Sequence, residues 1–408
     1  MIHQRDYSEG VSLRVLLFDW ATSGHHLEYA GHVARFLREA GDVVVFATWK
    51  EPPPGRMPRD DFDEVHHLAG ARNDTRWQSV IARSTPKCLA LARRERVDVV
   101  HFLYLDRSEI ALLASLGWSR PSYALLGTLF WPYFLHDPGE SVGIAKGLFH
   151  ATSSRALGRL LSKTRMDGLF VHSERIKGLL LDRFGDHSLN DQIQVVPDPA
   201  NDPPTISRSE SRAALDLPSQ MPLILFFGDA RADKGPDVLL EALPNLKGDW
   251  AVIIAGSSGI VGEEQVDACR RRLADPERLI TRFGYVPEAD VDQYFRAADV
   301  VVLPYRTSFK GTSGVLLRAA ASGRPIIASD VGDVGPTVRE AGLGMVIPAE
   351  APEHLTSALQ HFLDRRDQVQ LEVAPRALKY AAANDWRTLG RSTRASYLAA
   401  LESRAHQA

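Results

Sequence analysis

Only two of the 408 residues are cysteine, Cys88 and Cys269. Neither sits in metal-ligand spacing, so neither a disulfide framework nor a structural zinc site organises this chain. Both are expected as buried or partly buried thiols of a reducing compartment, one in each half. No apolar run approaches the ~20 residues needed to span a bilayer, and Met1–Glu9 lacks the apolar core of a signal peptide, which places the expected location in the cytoplasm. Neither sign of charge dominates: 48 basic residues against 51 acidic ones leave a net charge of −3. No global field therefore favours nucleic acid or an acidic polymer, and no nucleic-acid partner is expected. Low-complexity segments and short-period repeats are absent as well.

What remains is a chain long enough for two cores. Short apolar runs alternate with helical patterns almost throughout. In the first half the runs Leu13–Asp19, Val43–Thr48, Val97–Tyr104, Tyr123–Leu126, Gly168–His172 and Ile193–Val196 read as strands, and Leu27–Glu39 and Ser108–Leu116 read as helices. Proline and Asn/Asp density over Pro197–Pro204 then breaks regular structure and marks a linker. Alternation restarts with Leu223–Phe227, Trp250–Ala255, Leu279–Phe283, Val300–Pro304, Pro325–Ser329 and Met345–Ile347. Buried strands alternating with helices mean parallel, doubly wound sheets. The expected fold class is therefore α/β, with two doubly wound Rossmann-like domains facing a cleft: residues 1–200, residues 201–375, and a charged helical segment over 376–408. That last segment either caps the second domain or crosses back to the first.

The densest chemistry lies between Leu223 and Ala328. The apolar run Leu223–Phe227 ends at Gly228, and Asp229-Ala230-Arg231-Ala232-Asp233-Lys234-Gly235 leads into a helical pattern. A buried strand ending in glycine and basic residues at a helix start is a standard way to seat a phosphorylated ligand. After the run Val300–Pro304, Gly311-Thr312-Ser313-Gly314 opens a second helix, adding backbone N–H groups and two hydroxyls. One diphosphate could touch both turns.

Taken in order, these segments resemble the GT-B glycosyltransferases, specifically the retaining class called family 4, or glycosyl transferases group 1. The resemblance covers most of Leu13–Pro348 and is strongest in the second half. It is carried by Gly228 to Gly235, similar to the family's Gly-Arg-x-x-x-x-Lys-Gly segment, and by the turn Gly284-Tyr285-Val286. Ala298-Asp299-Val300 through Pro304 and the block Ala319–Ala328 with Asp330-Val331-Gly332 complete it.

The resemblance implies transfer of a sugar from a nucleotide diphosphate to a hydroxyl acceptor, with retention and without a protein nucleophile. Lys234 matches the family's lysine and would screen charge on the leaving diphosphate; otherwise it is a solvated lysine before a helix. The arginine position holds Asp229, so Arg231 is the expected guanidinium. Gly228, Gly235, Lys310, Gly311, Thr312, Ser313, Gly314 and Arg318 are the other expected donor contacts, and backbone at Tyr285 and Val286 would receive the base. No metal is expected, and no cofactor beyond the nucleotide sugar as co-substrate.

The departures from the family are equally specific. Its Glu-x7-Glu carboxylates are replaced by Lys310 and Arg318, which cannot accept hydrogen bonds from hydroxyls. They suit a phosphate or a carboxylate-bearing sugar, or else Arg318 is a helix-surface residue paired with an acid. Pro336 stands where many members have a glutamate. In the first half the family's glycine-rich loop corresponds to Thr22-Ser23-Gly24-His25-His26, where Gly24 permits the turn and His25 and His26 could donate to phosphate or to an acceptor hydroxyl. The loop Gly127–Tyr133 lacks the family's histidine, and His136 is a distant substitute. Ile144–Met166 carries Lys146, Arg155, Arg159, Lys163 and Arg165 with no acid, which fits either a peripheral contact with an anionic membrane or a sheet-covering helix with a solvated basic face. The alternative functions are a non-catalytic GT-B scaffold or activator, and a pseudo-glycosyltransferase that couples a non-sugar.

Overall fold

The computed structural model describes residues 11–21, 26–52, 59–69, 76–117, 120–130, 132–135, 143–162 and 165–407. The chain divides into two compact units, Met1–Pro197 with Trp386–Ala408, and Asp198–Asp385.

In the first unit the strands are β1 (Arg14–Asp19), β2 (Val43–Thr48), β3 (Glu64–His67), β4 (Val99–Phe102), β5 (Ala124–Leu129), β6 (Gly168–Val171) and β7 (Ile193–Val195). They form one sheet in the order β3-β2-β1-β4-β5-β6-β7, parallel at every pairing. The helices α1 (His26–Glu39), α2 (Trp77–Arg94), α3 (Glu109–Leu116), α4 (Ile144–Ser162) and α5 (Glu174–Phe184) connect them. Both faces of the central strands are covered, which is why β4, β5 and β6 are mainly apolar and buried at every position rather than alternating. The strand β3 escapes that signature. Its Glu64-Val65-His66-His67 lies at the sheet edge and is only partly buried, so no apolar run marks it.

After an irregular stretch and α6 (Arg208–Ala214), the second unit presents β8 (Leu223–Phe227), α7 (Pro236–Ala242), β9 (Ala251–Gly256), α8 (Glu263–Arg270), β10 (Leu279–Phe283), α9 (Glu288–Ala297) and β11 (Val300–Leu303). It continues with α10 (Gly314–Ala321), β12 (Ile326–Ser329), α11 (Val334–Glu340), β13 (Gly344–Ile347), α12 (Pro352–Asp364) and α13 (Arg366–Ala383). The sheet runs β10-β9-β8-β11-β12-β13, again parallel throughout. One buried salt bridge fixes its start. Asp299, just before β11, accepts from Arg212 at 2.7 Å, from Arg208 at 3.0 and 3.1 Å, and from the Leu223 N–H at 2.8 Å. Arg324 is likewise buried and donates to the carbonyls of Phe295 and Arg296. Two charged residues of the family-like blocks therefore pin the start of β8 and the last turn of α9.

The last helix, α14 (Trp386–Gln407), packs on the first unit. Tyr397 reaches His101 of β4 at 2.6 Å, and the far ring nitrogen of His101 lies 2.8 Å from Thr128. Burial pushes the His101 pKa down to about 3, so this buried bridge is neutral. Arg394 pairs with the fully buried carboxylate of Asp42 at 2.8 Å, and Arg404 with Asp167 at 2.9 Å. Both cysteines are free and buried. No helix among the described residues is long and apolar enough to cross a membrane.

Candidate active site

In the second sheet, β8 is followed by β9 on one side while its other neighbour, β11, is followed by β12 on the far side. The order of the strands switches direction there, between the carboxyl ends of β8 and β11, which is where doubly wound sheets accept nucleotides. The β8 loop is tightly fixed. Ala230 N–H donates to Ser257 O at 2.9 Å, Ile260 N–H to Ala230 O at 2.9 Å, and Arg306 N–H to Asp233 O at 2.9 Å. Gly235 has φ of +59°, and a Cβ there would fall 2.0 Å from the Pro304 carbonyl oxygen, so only glycine lets the two loops touch.

Lys234 turns back over the end of β8. A Cβ built on Gly228 would lie 3.2 Å from its Nζ, and that ammonium stands 5.6 Å from the ring centre of Tyr305. Tyr305 is buried, and its hydroxyl lies 3.1 Å from Ser313 Oγ, the residue immediately before α10. The helix start at Gly314 carries no side-chain cap, and Thr312 donates to Asp198 at 2.8 Å. Lys234, Gly228, Gly235, Tyr305 and Ser313 thus come together after β8 and β11, with Gly314 opening α10 next in the chain.

The other expected contacts are placed less directly. Arg231 forms a bidentate pair with Asp233 at 3.0 Å on both arms. Its bond to Asp233 holds its pKa above the usual arginine value against the effect of burial. Lys310 is half-buried, and the loop of Gly332 packs against it and Gly311. Arg318 pairs with Glu288 and with Asp292 at 3.3 Å, both on α9. Its charge is compensated by these two acids of the neighbouring helix. Tyr285 is exposed, and Val286 packs against the core.

In the first unit the equivalent reversal falls between β1 and β4. Gly24 and His25 lie outside the described residues, as do Trp131, His136 and Lys163. His26 opens α1, and its Nδ1 lies 2.8 Å from the buried carboxylate of Asp19. Burial works against a charged ring, but the charge and hydrogen bond of Asp19, with Asp106 adding to them, raise its pKa above the ordinary histidine value. The ring also meets Tyr104 edge-on at 4.5 Å.

Nearby, Glu109 is fully buried and accepts from the Tyr133 hydroxyl at 3.1 Å. Burial, then Asp106, pushes its pKa up from 4.5 to about 8. Such a carboxyl keeps its proton on folding, so its contribution to stability is intact below pH 4.5 and is lost as the pH rises toward 8. The Glu109→Gln variant is expected to melt higher than the wild type at pH 8 and to gain less at pH 5. Equal differences at both pH values would show that Glu109 is ionised in the fold.

The basic helix α4 buries Leu157, Leu160 and Leu161, and leaves Ile144 and Leu148 exposed in its first two turns. Its second half is therefore a sheet-covering helix. Among the described residues, the group geometrically able to hold a metal is Glu64, His66 and Glu95, but Arg14 already pairs with both carboxylates at 2.7 and 3.1 Å.

Two Rossmann-like α/β units, the second with a lysine and a helix start at its switch point, define the class of protein. Comparison with solved structures shows the GT-B fold. Sucrose-phosphate synthase from Thermosynechococcus elongatus superposes with a TM-score of 0.77 at 18% identity, covering 96% of this chain and all of that one. Anabaena HepE in complex with UDP gives 0.71 at 14% identity, covering 94% and 99%. A D-inositol 3-phosphate glycosyltransferase of Kineococcus radiotolerans is 26% identical over 401 residues, covering 91% of this chain and 89% of that protein. Residues 221–365 match the family model described as glycosyl transferases group 1. The chain is a glycosyltransferase, and the match to that group lies within its second unit.

Proposed function

We propose that the chain is a retaining glycosyltransferase of the family-4 type, moving a hexose-type sugar from a nucleotide diphosphate to a hydroxyl acceptor. The observation that carries this reading is Lys234, folded over Gly228 beside the start of α10. In the proposed reaction the bond from the anomeric carbon to the diphosphate breaks while the acceptor oxygen bonds to the same face. The acceptor proton passes to the departing phosphate, which leaves as nucleoside diphosphate. Lys234 and the N–H groups opening α10 stabilise the charge that develops there. With Arg318 committed to Glu288 and Asp292, neither cationic replacement supplies an acceptor for the sugar hydroxyls. His26 of the first unit, held by Asp19, is the proposed acceptor-side group. The relative named for D-inositol 3-phosphate makes a phosphorylated cyclitol the first acceptor to try, and the UDP complex of HepE makes uridine donors the first to supply.

The test is release of nucleoside diphosphate from a panel of UDP-, GDP-, dTDP- and ADP-sugars with inositol phosphate and simple glycosides, with the anomeric configuration of the product read by proton NMR. Retention with one donor is expected. Inversion, or no transfer from any donor, would contradict the proposal, and transfer of a non-sugar group alone would favour a pseudo-glycosyltransferase.

A further inference from the structure

We propose that Tyr305 is the positioning residue of the donor site, aiming both Lys234 and Ser313 before the diphosphate arrives. The inference rests on the donor-site reading above and adds a residue that reading does not use.

Three observations converge on this side chain. First, Tyr305 is only 1% exposed although it lies two residues beyond β11 at the sheet's carboxyl end, and its ring is wedged against Phe309 at 4.4 Å. A buried ring packed on a second ring has few rotamers open to it, so what it touches is held in place. Second, its face lies 5.6 Å from the Lys234 ammonium. A lysine is a flexible point charge with costly side-chain entropy. A ring quadrupole at that range attracts the ammonium without neutralising it, as a carboxylate would. Among the described residues no carboxylate pairs with Lys234, so its full charge is kept for a ligand. Third, the Tyr305 hydroxyl meets Ser313 Oγ at 3.1 Å. Ser313 precedes α10 without using its side chain as a cap, so the bond to Tyr305 fixes the direction of that hydroxyl at the helix start. The same electrostatic neighbourhood includes Arg231. One rigid phenol thus links the loop after β8 to the start of α10, the two places expected to grip a single diphosphate.

The experiment compares wild type, Tyr305→Phe, Tyr305→Leu and Ser313→Ala in the full chain. It measures calorimetric affinity for UDP, GDP and ADP and for the matching nucleosides, together with kcat, KM and melting temperature. Phenylalanine keeps the ring face and loses the bond to Ser313, whereas leucine loses both. Leucine is expected to weaken the bound diphosphate by about tenfold or more while the nucleoside affinity stays within twofold. Its kcat for donor turnover should fall further than its KM rises. Phenylalanine should recover most of the affinity and fall only a few-fold. Ser313→Ala should fall at least as far as phenylalanine, and the double Phe/Ala variant should be no worse than Ser313→Ala alone, because without that hydroxyl the Tyr305 hydroxyl has nothing left to position.

Wild-type diphosphate affinity in the leucine variant would overturn the proposal, as would equal losses for nucleoside and diphosphate. If leucine does not fold, the Phe and Ala pair decides: additive losses would overturn the link between Tyr305 and Ser313. A wild type that binds none of the three diphosphates would instead remove the donor reading itself, and this inference with it.

Discussion

Lys234→Ala should lower donor turnover by about 10²- to 10³-fold, the cost typical of removing one preorganised group that meets developing charge. Melting temperature should stay within a few degrees of the wild type. The side chain is half-buried, crosses the end of β8 above Gly228 and approaches the Tyr305 ring, so its loss removes a charge and some packing but orphans no buried partner. Glutamine, of similar length and neutral, should fail nearly as badly as alanine. Arginine should recover only part of the rate, because its planar fork presents charge differently from a compact ammonium. A large loss of stability with turnover retained would mean that Lys234 is structural.

The opposite pattern is expected at Asp299. Its carboxylate lies beneath Arg212, which is 1% exposed and also donates to the carbonyls of Ala297, Pro218 and Met221 at 2.9, 2.6 and 2.7 Å. Asp299→Ala leaves that guanidinium buried without its counter-charge and frees the Leu223 N–H that starts β8. Breaking a buried pair from one side costs about 3–5 kcal/mol, which corresponds to about 10 °C in the unfolding of a unit this size. Below the transition, nucleotide affinity should be nearly unchanged, since the carboxylate sits at the strand's entry and not at its carboxyl end. A variant that melts like the wild type would show that the pair is solvent-compensated.

These two residues show how far the sequence could be read. Both stand in family-like segments, and spacing alone does not separate a ligand contact from a chain-pinning charge. What separates them is which end of a parallel strand each occupies, and that was legible only once β8 and β11 were placed. The apolar runs marked twelve of the strands, because a parallel sheet covered on both faces leaves no polar alternation. Edge strand β3, polar and half-buried, left no such mark. Sheet order depends on pairing between distant segments, so the neighbours of each strand were not readable, nor was the docking of α14 through Tyr397 and His101.

Lys234 and the start of α10 were legible from glycine and charge pattern. Tyr305 was not, because one aromatic after an apolar run reads as core. The partners of Arg318, Glu288 and Asp292, lie 30 and 26 residues upstream on an element that only folding brings alongside. His26 was visible as a residue type in a loop, but Asp19 as its partner emerged from the geometry of β1 and α1.

The most direct test of the account is thermal shift of the purified wild type against UDP, GDP, dTDP and ADP, repeated with Lys234→Ala. A ligand at about one hundred times its dissociation constant stabilises by about 2.7 kcal/mol. The account predicts a clear upward shift with one nucleoside diphosphate, a smaller one with the matching nucleoside, and loss of the difference in the lysine variant. No shift with any nucleotide, or an undiminished diphosphate shift in Lys234→Ala, would contradict a donor site at the switch point of the second sheet.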